Sequence, residues 1–257
     1  MAVTDAPLFR LDGVSCRYGT REVLSEVDFT LAPGERAALL GGNGTGKTTL
    51  LHVMMGLVRP CRGTIEAFGA VRVRDSDFAE VRRRAGLLFQ DADDQLFCPT
   101  VIEDVAFGPL NCGQSDAEAR ATAESVLRRL GIAGLADRVT HRLSGGEKRM
   151  VSLAAVLAMQ PDVLLLDEPT NALDDEARER LVLLLAELPQ AMVLVTHDQA
   201  LVERLGFTPA VLRDGRLAPA EVHRHPHVHR HQHEHIHVEP DHSAHEHHHA
   251  GPVEPGE

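Results

Sequence analysis

The sequence predicts an α/β fold with a parallel core sheet and an added antiparallel β layer. Short continuous apolar segments, of which 163–166 is the clearest, alternate with segments of helical periodicity. A strand that is apolar on both faces is typical of a parallel sheet covered by helices. The segments 8–11 and 27–31 instead alternate apolar and polar residues, as half-buried antiparallel strands do. A change of composition separates a folded body, 1–220, from a tail, 221–257.

The remaining elements follow from the same periodicities. Pro33-Gly34 predicts a turn, Asp116 is predicted to cap a helix, and Asp214-Gly215 predicts a last hairpin. Further strands are predicted at 36–40, 86–90 and 192–196. Helices are predicted at 47–56, 78–84, 116–130, 145–159, 175–188 and 199–205.

Composition and charge exclude several classes of protein. The net charge of −12 argues against a nucleic-acid partner, because such proteins carry a basic surface. With no Trp and one Tyr, the chain has no set of aromatic residues for stacking bases. No apolar run approaches the roughly 20 residues that cross a bilayer. The four cysteines form no CxxC pair, so we expect free thiols in a reducing compartment.

A glycine-rich loop has the spacing of a phosphate-binding loop. The segment 41–48 matches G-x-x-x-x-G-K-[ST] at every fixed position. Its glycines let backbone N–H groups approach an anion, and the next helix directs its positive dipole end there. Lys47 is predicted to reach the outer phosphates of a nucleotide and Thr48 to ligate Mg²⁺. A glycine-rich turn without a ligand is the alternative. The predicted nucleotide contacts are Gly41, Gly42, Asn43, Gly44, Thr45, Gly46, Lys47, Thr48 and Thr49.

Two carboxylates follow the apolar strand at 163–166. Ligands of an open α/β sheet lie at the carboxyl ends of its strands, so Asp167 is predicted to hold Mg²⁺, directly or through water. Glu168 is predicted to orient and deprotonate a water aimed at the γ-phosphate. Either acid alone is equally typical of a helix cap or a solvent-facing carboxylate. Together with the phosphate loop, the pair indicates a nucleotide-hydrolysing site.

The segment Leu143-Ser144-Gly145-Gly146-Glu147 resembles the signature motif of the ATP-binding-cassette (ABC) ATPases. Generic phosphate-loop chemistry does not require this motif, so it is specific to the family. The resemblance covers about residues 8–218. It implies the ABC nucleotide-binding fold, with a helical subdomain at about 91–160, and ATP as the substrate.

Four further residues match the family's motifs in the family's order. Tyr18 resembles the aromatic residue that stacks on adenine. Gln90 resembles the Q-loop glutamine, which contacts Mg²⁺ and senses the transport partner. Asp174 ends a segment, 171–174, that resembles the D-loop, and His197 resembles the switch histidine that faces the γ-phosphate. A surface aromatic and a histidine satisfied at a strand end are the alternatives for Tyr18 and His197.

Ser144 and Gly146 open a predicted helix and so offer a second anion site. The helix at 47–56 already holds one phosphate end, so one nucleotide meets both helix starts only if the second belongs to another subunit. The resemblance implies the same arrangement, in which two cassettes enclose two ATP molecules, and we expect a homodimer. The alternative is a serine-capped helix with no ligand.

A narrower resemblance lies between Gln90 and Gly113. Gln95 and the segment 107–109 are similar to the ATPases of energy-coupling-factor importers, which take up vitamins and transition-metal ions. This chain departs from the family pattern at three positions. They are Ala92 in place of proline, Cys112 in place of an aliphatic residue and Glu147 in place of glutamine.

The tail has 13 of the 16 histidines of the chain, all between His223 and His249. Few apolar residues accompany them, so we expect a disordered segment. Neutral imidazole binds nickel, cobalt, zinc and copper, and this predicts transition-metal binding. A solvated linker and an expression tag are the alternatives. The alternating set consists of His223, His225, His227, His229, His231, His233, His235 and His237.

These interpretations lead to one hypothesis of function and two alternatives. The hypothesis is the ATPase subunit of a nickel or cobalt importer, peripheral at the cytoplasmic face of the membrane and bound to integral membrane subunits. A soluble ABC-type ATPase of DNA repair or translation is the first alternative. Only 53 positions separate Gln90 from Leu143, which leaves no room for the long coiled-coil insertion of such proteins. A metal-storage or delivery factor is the second alternative.

Overall fold

The computed structural model describes residues 6–220, and the tail with its histidines lies outside the described residues. The strands are β1 (Phe9–Tyr18), β2 (Arg21–Leu31), β3 (Arg36–Leu40), β4 (Arg62–Ala67), β5 (Ala70–Val71), β6 (Ala85–Leu88), β7 (Val163–Asp167), β8 (Ala191–Val195), β9 (Thr208–Arg213) and β10 (Arg216–Pro219). The α-helices are α1 (Lys47–Met54), α2 (Phe78–Arg84), α3 (Val101–Asn111), α4 (Asp116–Arg129), α5 (Gly145–Ala158), α6 (Asp175–Glu187) and α7 (Gln199–Arg204).

The predicted parallel core sheet is confirmed. Six strands lie in the order β10-β9-β3-β8-β7-β6, and all neighbours are parallel except the β9–β10 hairpin. Val195 of β8 lies opposite Leu39 of β3 on one side and Asp167 of β7 on the other. This register brings the segments after β3, β7 and β8 to the same edge of the sheet, where ligands of such sheets bind.

The predicted antiparallel layer is also confirmed, and it is larger than the sequence indicated. Strands β2, β1, β4 and β5 form a four-stranded sheet in that order. β1 pairs with both β2 and β4, so Phe9 and Leu11 are buried inside the layer. Strands β4 and β5 were not predicted, because they are short and mostly exposed and therefore show little alternation.

The core sheet separates two hydrophobic cores. Leu164 and Leu166 of β7 face a core built mainly with α3, α4, α5 and α6. Val163 and Leu165, which point to the opposite face, lie in a second core with α1 and the antiparallel sheet. Burial on both faces explains why β7 is continuously apolar rather than alternating.

Helices α3, α4 and α5 pack against one another within the region predicted as the helical subdomain. The prediction that Asp116 caps α4 is wrong by one position: Ser115 is the N-cap, and its side chain exchanges hydrogen bonds with Glu118. Helix α3 was not predicted, because Gly108 and Pro109 suggest a break. Pro109 lies in the last turn of α3, and a capping box between Thr100 and Glu103 stabilises the start of the helix.

Across residues 6–220, none of the helices combines the length and the hydropathy that a bilayer span requires.

Candidate functional site

The phosphate loop joins β3 to α1, and two of its glycines are required by its geometry. Gly41 and Gly46 have φ of +144° and +106°, conformations that side chains with a Cβ rarely adopt. A Cβ on Gly41 would lie 2.4 Å from the Leu212 carbonyl oxygen, and one on Gly46 would lie 2.9 Å from that of Val23. The loop is therefore packed closely against two neighbouring segments, and a side chain at either glycine would collide with their backbone.

Lys47 begins α1 and is buried, with 8% of its surface exposed. Its ammonium donates hydrogen bonds to the carbonyls of Gly41 and Gly42, at 2.8 and 2.9 Å. The cation thus lies over the loop, beside the helix start whose first N–H groups have no partner within the helix. This arrangement concentrates positive charge where the sequence predicts phosphate.

Six of the nine predicted loop contacts line a cleft of about 430 Å³ at the carboxyl edge of the core sheet, whereas Gly41, Gly42 and Thr45 do not line it within the described residues. Tyr18, at the end of β1, stands at this cleft with 53% of its surface exposed. Within the described part of the chain, no residue of 143–147 lines the cleft. The lining residues are Tyr18, Arg21, Val23, Asn43, Gly44, Gly46, Lys47, Thr48, Thr49, Gln90, Asp167, Glu168 and Val195.

Asp167 and Glu168 are buried acids, with 2% and 8% of their surfaces exposed. Burial raises the pKa of Asp167, and Glu168 acts in the same direction, while the Thr48 hydroxyl, His52 and Lys47 oppose the shift. Asp167 Oδ1 and Glu168 Oε2 have no hydrogen-bond partner among the described residues. Buried carboxylate oxygens without partners are costly, which indicates that a cation or a water completes the site.

His197 follows β8, and its Nδ1 lies 3.1 Å from Glu168 Oε1. The histidine side chain is 74% exposed, whereas Glu168 is buried beneath it. The structure therefore pairs the two residues that the sequence placed on neighbouring strands. One carboxylate oxygen of Glu168 contacts the imidazole, and the other stays without a partner.

The signature segment lies outside this cleft. Ser144 caps α5: its hydroxyl accepts from the Glu147 N–H at 3.2 Å, and its own N–H donates to Glu147 Oε2 at 2.8 Å. Ser144 and Gly145 are exposed. Gly145 and Gly146 lie beside Ala172 and Leu173, so the signature segment and the segment 171–174 form one surface.

Asp174 caps α6 and accepts a hydrogen bond from the Ala177 N–H at 2.7 Å. Asp174 is exposed. Within its own chain it caps a helix, and its contact with a nucleotide stays a prediction.

Gln90 follows β6 and lines the nucleotide cleft. It also lines an adjoining cleft of about 570 Å³, with Thr48, His52 and Gly145 among the other lining residues.

Sequence reasoning missed Arg149, which lies on α5 and is 3% exposed. Its guanidinium donates hydrogen bonds to the carbonyl oxygens of Phe89, Gln90 and Glu168. The sequence does show that Arg149 directly precedes the apolar run 150–158, which indicates a cation near the buried face of the helix. It does not show which carbonyl groups accept its hydrogen bonds. Gln95 was noted from the resemblance alone. In the structure its side-chain oxygen accepts from the Phe89 N–H, and its side-chain nitrogen donates to the Ser152 carbonyl.

Comparison with known proteins gives the following similarities. Residues 24–171 match the protein family described as ABC transporter. An ABC transporter ATP-binding protein of Brucella suis biovar 1 is 56% identical over 85% of this chain and 91% of that protein. The cobalt import ATP-binding protein CbiO of Rhodobacter capsulatus is 47% identical, over 77% of this chain and 72% of that protein. The nickel import ATP-binding protein NikO of the same organism is 42% identical, over 83% and 89%.

Solved structures give the same result. The structure of cbiO1 from Clostridium perfringens, described as part of the ABC transporter complex cbiONQ, matches with a TM-score of 0.72 and 33% identity. The match covers 82% of this chain and 87% of that chain. A dimeric structure of a bacterial ABC transporter cassette matches with a TM-score of 0.74 and 27% identity, over 81% and 96% of the two chains.

Proposed function

The chain belongs to the ABC transporter family and is the ATPase subunit of a transporter, and from this premise we propose that it powers the import of nickel or cobalt. The observation that carries the ATPase chemistry is the placement of Lys47, Asp167 and Glu168 around one cleft. The proposed cargo is supported by the similarity to a cobalt import and a nickel import ATP-binding protein.

ATP binds in the cleft with its phosphates in the loop 41–48. Tyr18, half exposed at the mouth of the cleft, supplies a ring on which adenine stacks. The Lys47 ammonium then leaves the carbonyls of Gly41 and Gly42 and pairs with the outer phosphates. A hydrogen bond to a charged phosphate oxygen is stronger than one to a neutral carbonyl. The loop N–H groups and the start of α1 bind the remaining phosphate oxygens.

The residues of the cleft fit Mg²⁺. This ion prefers oxygen ligands and is held in phosphate-transfer sites by one or two protein groups together with substrate oxygens. The unpartnered Asp167 Oδ1, the Thr48 hydroxyl and the Gln90 side chain provide such oxygens at this cleft. When bound, the ion neutralises negative charge on the β- and γ-phosphates.

Glu168 is the general base of the proposed reaction. Glu168 lines the cleft, and its buried Oε2 has no hydrogen-bond partner among the described residues. We propose that this oxygen accepts a proton from a water directed at the γ-phosphorus. His197 contacts the other oxygen at 3.1 Å and fixes the orientation of the carboxylate. We propose that the exposed imidazole also contacts the γ-phosphate, although His197 is not among the described residues that line the cleft.

The second wall of the site comes from another copy of the chain. Ser144 and Gly145 are exposed at the start of α5, and the segment 143–147 does not line the cleft within the described residues. A homodimer in which Ser144 and Gly146 of one copy meet the nucleotide of the other supplies the missing donors. The dimeric cassette with which this chain aligns supports that arrangement.

The membrane partner docks beside the Gln90 loop. A groove of about 260 Å³ lies there, lined largely by apolar residues, and Phe97 at its rim is 66% exposed. Phe97 also stacks edge-on against Phe107, which is 45% exposed. An apolar segment of an integral membrane subunit fits this groove, which supports the proposed location of the chain as a peripheral subunit at the cytoplasmic face of the membrane.

The histidines of the tail are proposed to bind the imported ion after its arrival. They lie outside the described residues, and the proposal depends on their number and spacing in the sequence.

Uptake of labelled nickel and labelled cobalt, by cells with the protein and by cells with its Lys47→Ala variant, tests the proposed transport. We expect uptake of one of the two ions to fall to background in the variant. Unchanged uptake of both ions would contradict the proposed cargo and leave the ATPase assignment intact.

A second measurement tests the tail. A chain without residues 221–257 should hydrolyse ATP at the rate of the full chain and bind fewer nickel ions in calorimetry. A full-length chain with asparagine at the 13 histidine positions of the tail is the matched control for length. Equal nickel stoichiometry in all three chains would remove the metal-binding role of the tail.

A further inference from the structure

Arg149 is a buried cation whose hydrogen bonds go to backbone carbonyls. Its Nη2 donates to the carbonyls of Gln90 and Glu168, both at 2.8 Å, and its Nη1 donates to the carbonyl of Phe89. Burial lowers the pKa of Arg149, while the negative charges of Asp167, Asp91 and Glu168 oppose the shift. A guanidinium has five donors in a fixed plane and so can connect several acceptors that a lysine cannot.

The three carbonyls belong to two functional segments. Phe89 and Gln90 form the start of the loop that lines both clefts. Glu168 is the proposed general base, and it has a φ of +44°, in the left-handed region. For a residue with a side chain this conformation is unfavourable, so the surrounding contacts have to hold it.

Three hydrogen bonds hold the Glu168 backbone. Its N–H donates to the Val195 carbonyl at 2.9 Å, and its carbonyl accepts from the Asn171 N–H at 3.1 Å and from Arg149. The Arg149 bond is the one among these three that comes from a side chain, and it ties Glu168 to α5. That helix also bears Ser144 at its start, five positions before Arg149.

We propose that Arg149 is a positioning residue for ATP hydrolysis, which holds the Glu168 backbone and the Gln90 loop in their reactive arrangement. The proposal rests on the proposed role of Glu168 as the general base. Arg149 acts through Glu168 and does not line the nucleotide cleft within the described residues. Its loss should therefore lower the rate of hydrolysis and leave the binding of ATP to the phosphate loop unchanged.

Arg149→Lys and Arg149→Met in the full chain test the proposal. We expect kcat to fall about tenfold to a hundredfold, because small displacements of a reacting group have effects of that size. The KM and the directly measured affinity for ATP should stay within about twofold of the wild-type values. If Arg149→Met does not fold, Arg149→Lys retains the charge and supplies the measurement.

Arg72→Met is a matched control for lost stability. Arg72 also has a little-exposed side chain, at 7%, and it donates to the carbonyls of Ala67 and Asp77 beyond the last strand of the antiparallel sheet. It differs from Arg149 in an ion pair with Glu80 at 2.7 Å. We expect it to lower the melting temperature as Arg149→Lys does, yet to keep kcat within about twofold when assayed below both melting temperatures.

The combination with Glu168→Gln separates positioning from a general structural role. If Arg149 acts through the base, the double variant Glu168→Gln, Arg149→Lys turns over ATP no more slowly than Glu168→Gln alone. The proposal would be overturned if the kcat of the double variant fell by the product of the factors measured for the two single variants. An Arg149→Lys variant with the wild-type kcat would overturn it as well. Full turnover by Glu168→Gln alone would instead contradict the role of Glu168.

Discussion

Lys47 and Ser144 both stand at the start of a helix, but their surroundings differ. Lys47 is buried in a cleft that is lined by residues at the ends of β3, β6, β7 and β8 and by residues of the antiparallel sheet. Its ammonium donates hydrogen bonds to the loop that precedes it. Ser144 is exposed, and its cap bonds are all with Glu147 of its own helix. One helix start is enclosed by its own chain, and the other is presented to the outside.

This difference shows what a single chain can and cannot do. The enclosed side contains the proposed base, its histidine partner and the oxygens for a cation, so the bond-breaking groups are assembled in one subunit. The exposed side is the helix start at 143–147, and the acid within this segment, Glu147, caps the helix together with Ser144 and has no role in the proposed reaction. Arg149 joins the two sides, since its helix begins at Ser144 and its side chain reaches Glu168.

Glu168→Gln should have the largest effect on the rate of ATP hydrolysis. It removes the proposed base from the enclosed side, which is the cleft around Lys47, and leaves the exposed side, which is the helix start at Ser144, intact. Loss of a general base lowers rates by about 10²–10⁴-fold, so we expect turnover below about 1% of wild type. ATP should still bind, and the variant should accumulate as an ATP-bound dimer in size-exclusion chromatography. Glu187→Gln, an exposed acid on α6, is the control and should behave as wild type. A variant that hydrolyses ATP at the wild-type rate would exclude Glu168 as the base.

A mixing experiment places the two sides on separate chains. Lys47→Ala and Ser144→Arg should each be inactive alone, because every site in either homodimer lacks one wall. Mixed in equal amounts, about a quarter of the wild-type activity should return, since half of random dimers are mixed and each of these has one intact site of two. The measurement is phosphate release as a function of mixing ratio. A mixture as inactive as its components would contradict a site shared between subunits.

The enclosed side was largely predictable from the sequence, for a reason that the structure makes clear. The loop 41–48 and the acids at 167 and 168 are local signals: each is a short pattern next to its own apolar strand. The rule that ligands bind at the carboxyl ends of parallel strands then brings separate patterns to one edge. In the observed register Val195 pairs with both Leu39 and Asp167, so the segments after these strands meet at that edge.

Contacts between distant segments were not predictable in the same way. The acceptors of Arg149 lie 60, 59 and 19 positions away, and no local periodicity encodes such pairs. The buried Asp104 is a similar case: it accepts from the Thr140 hydroxyl, 36 positions away, and from the N–H groups of Phe97 and Cys98. Both residues lie in a helical region whose packing depends on tertiary contacts rather than on helix propensity.

Asp167→Asn should have the smallest effect, a change in melting temperature. Whether the melting temperature rises or falls tests whether the enclosed side needs a cation to balance its buried acids. Burial raises the pKa of Asp167 above its value in the unfolded chain. The folded state therefore binds this proton more tightly, and its stability declines as the pH rises through the folded-state pKa. Without nucleotide or Mg²⁺, the uncharged asparagine should raise the melting temperature at neutral pH by about 2–4 °C for each kcal/mol of removed penalty.

Thermal unfolding across a pH series measures this effect. The gain should shrink as the pH falls toward the unfolded-state pKa of about 4 and disappear about one pH unit below it, where the aspartate is protonated in both states. Addition of Mg²⁺ and ATP should reverse the order, because ligand binding to the folded state stabilises the wild type more than the variant, which lacks the carboxylate for the cation. Asp137→Asn, at an exposed position, should show neither change. A lower melting temperature for Asp167→Asn at every pH would mean that the carboxylate already forms net favourable contacts in the free protein, and that the enclosed side needs no cation to complete it.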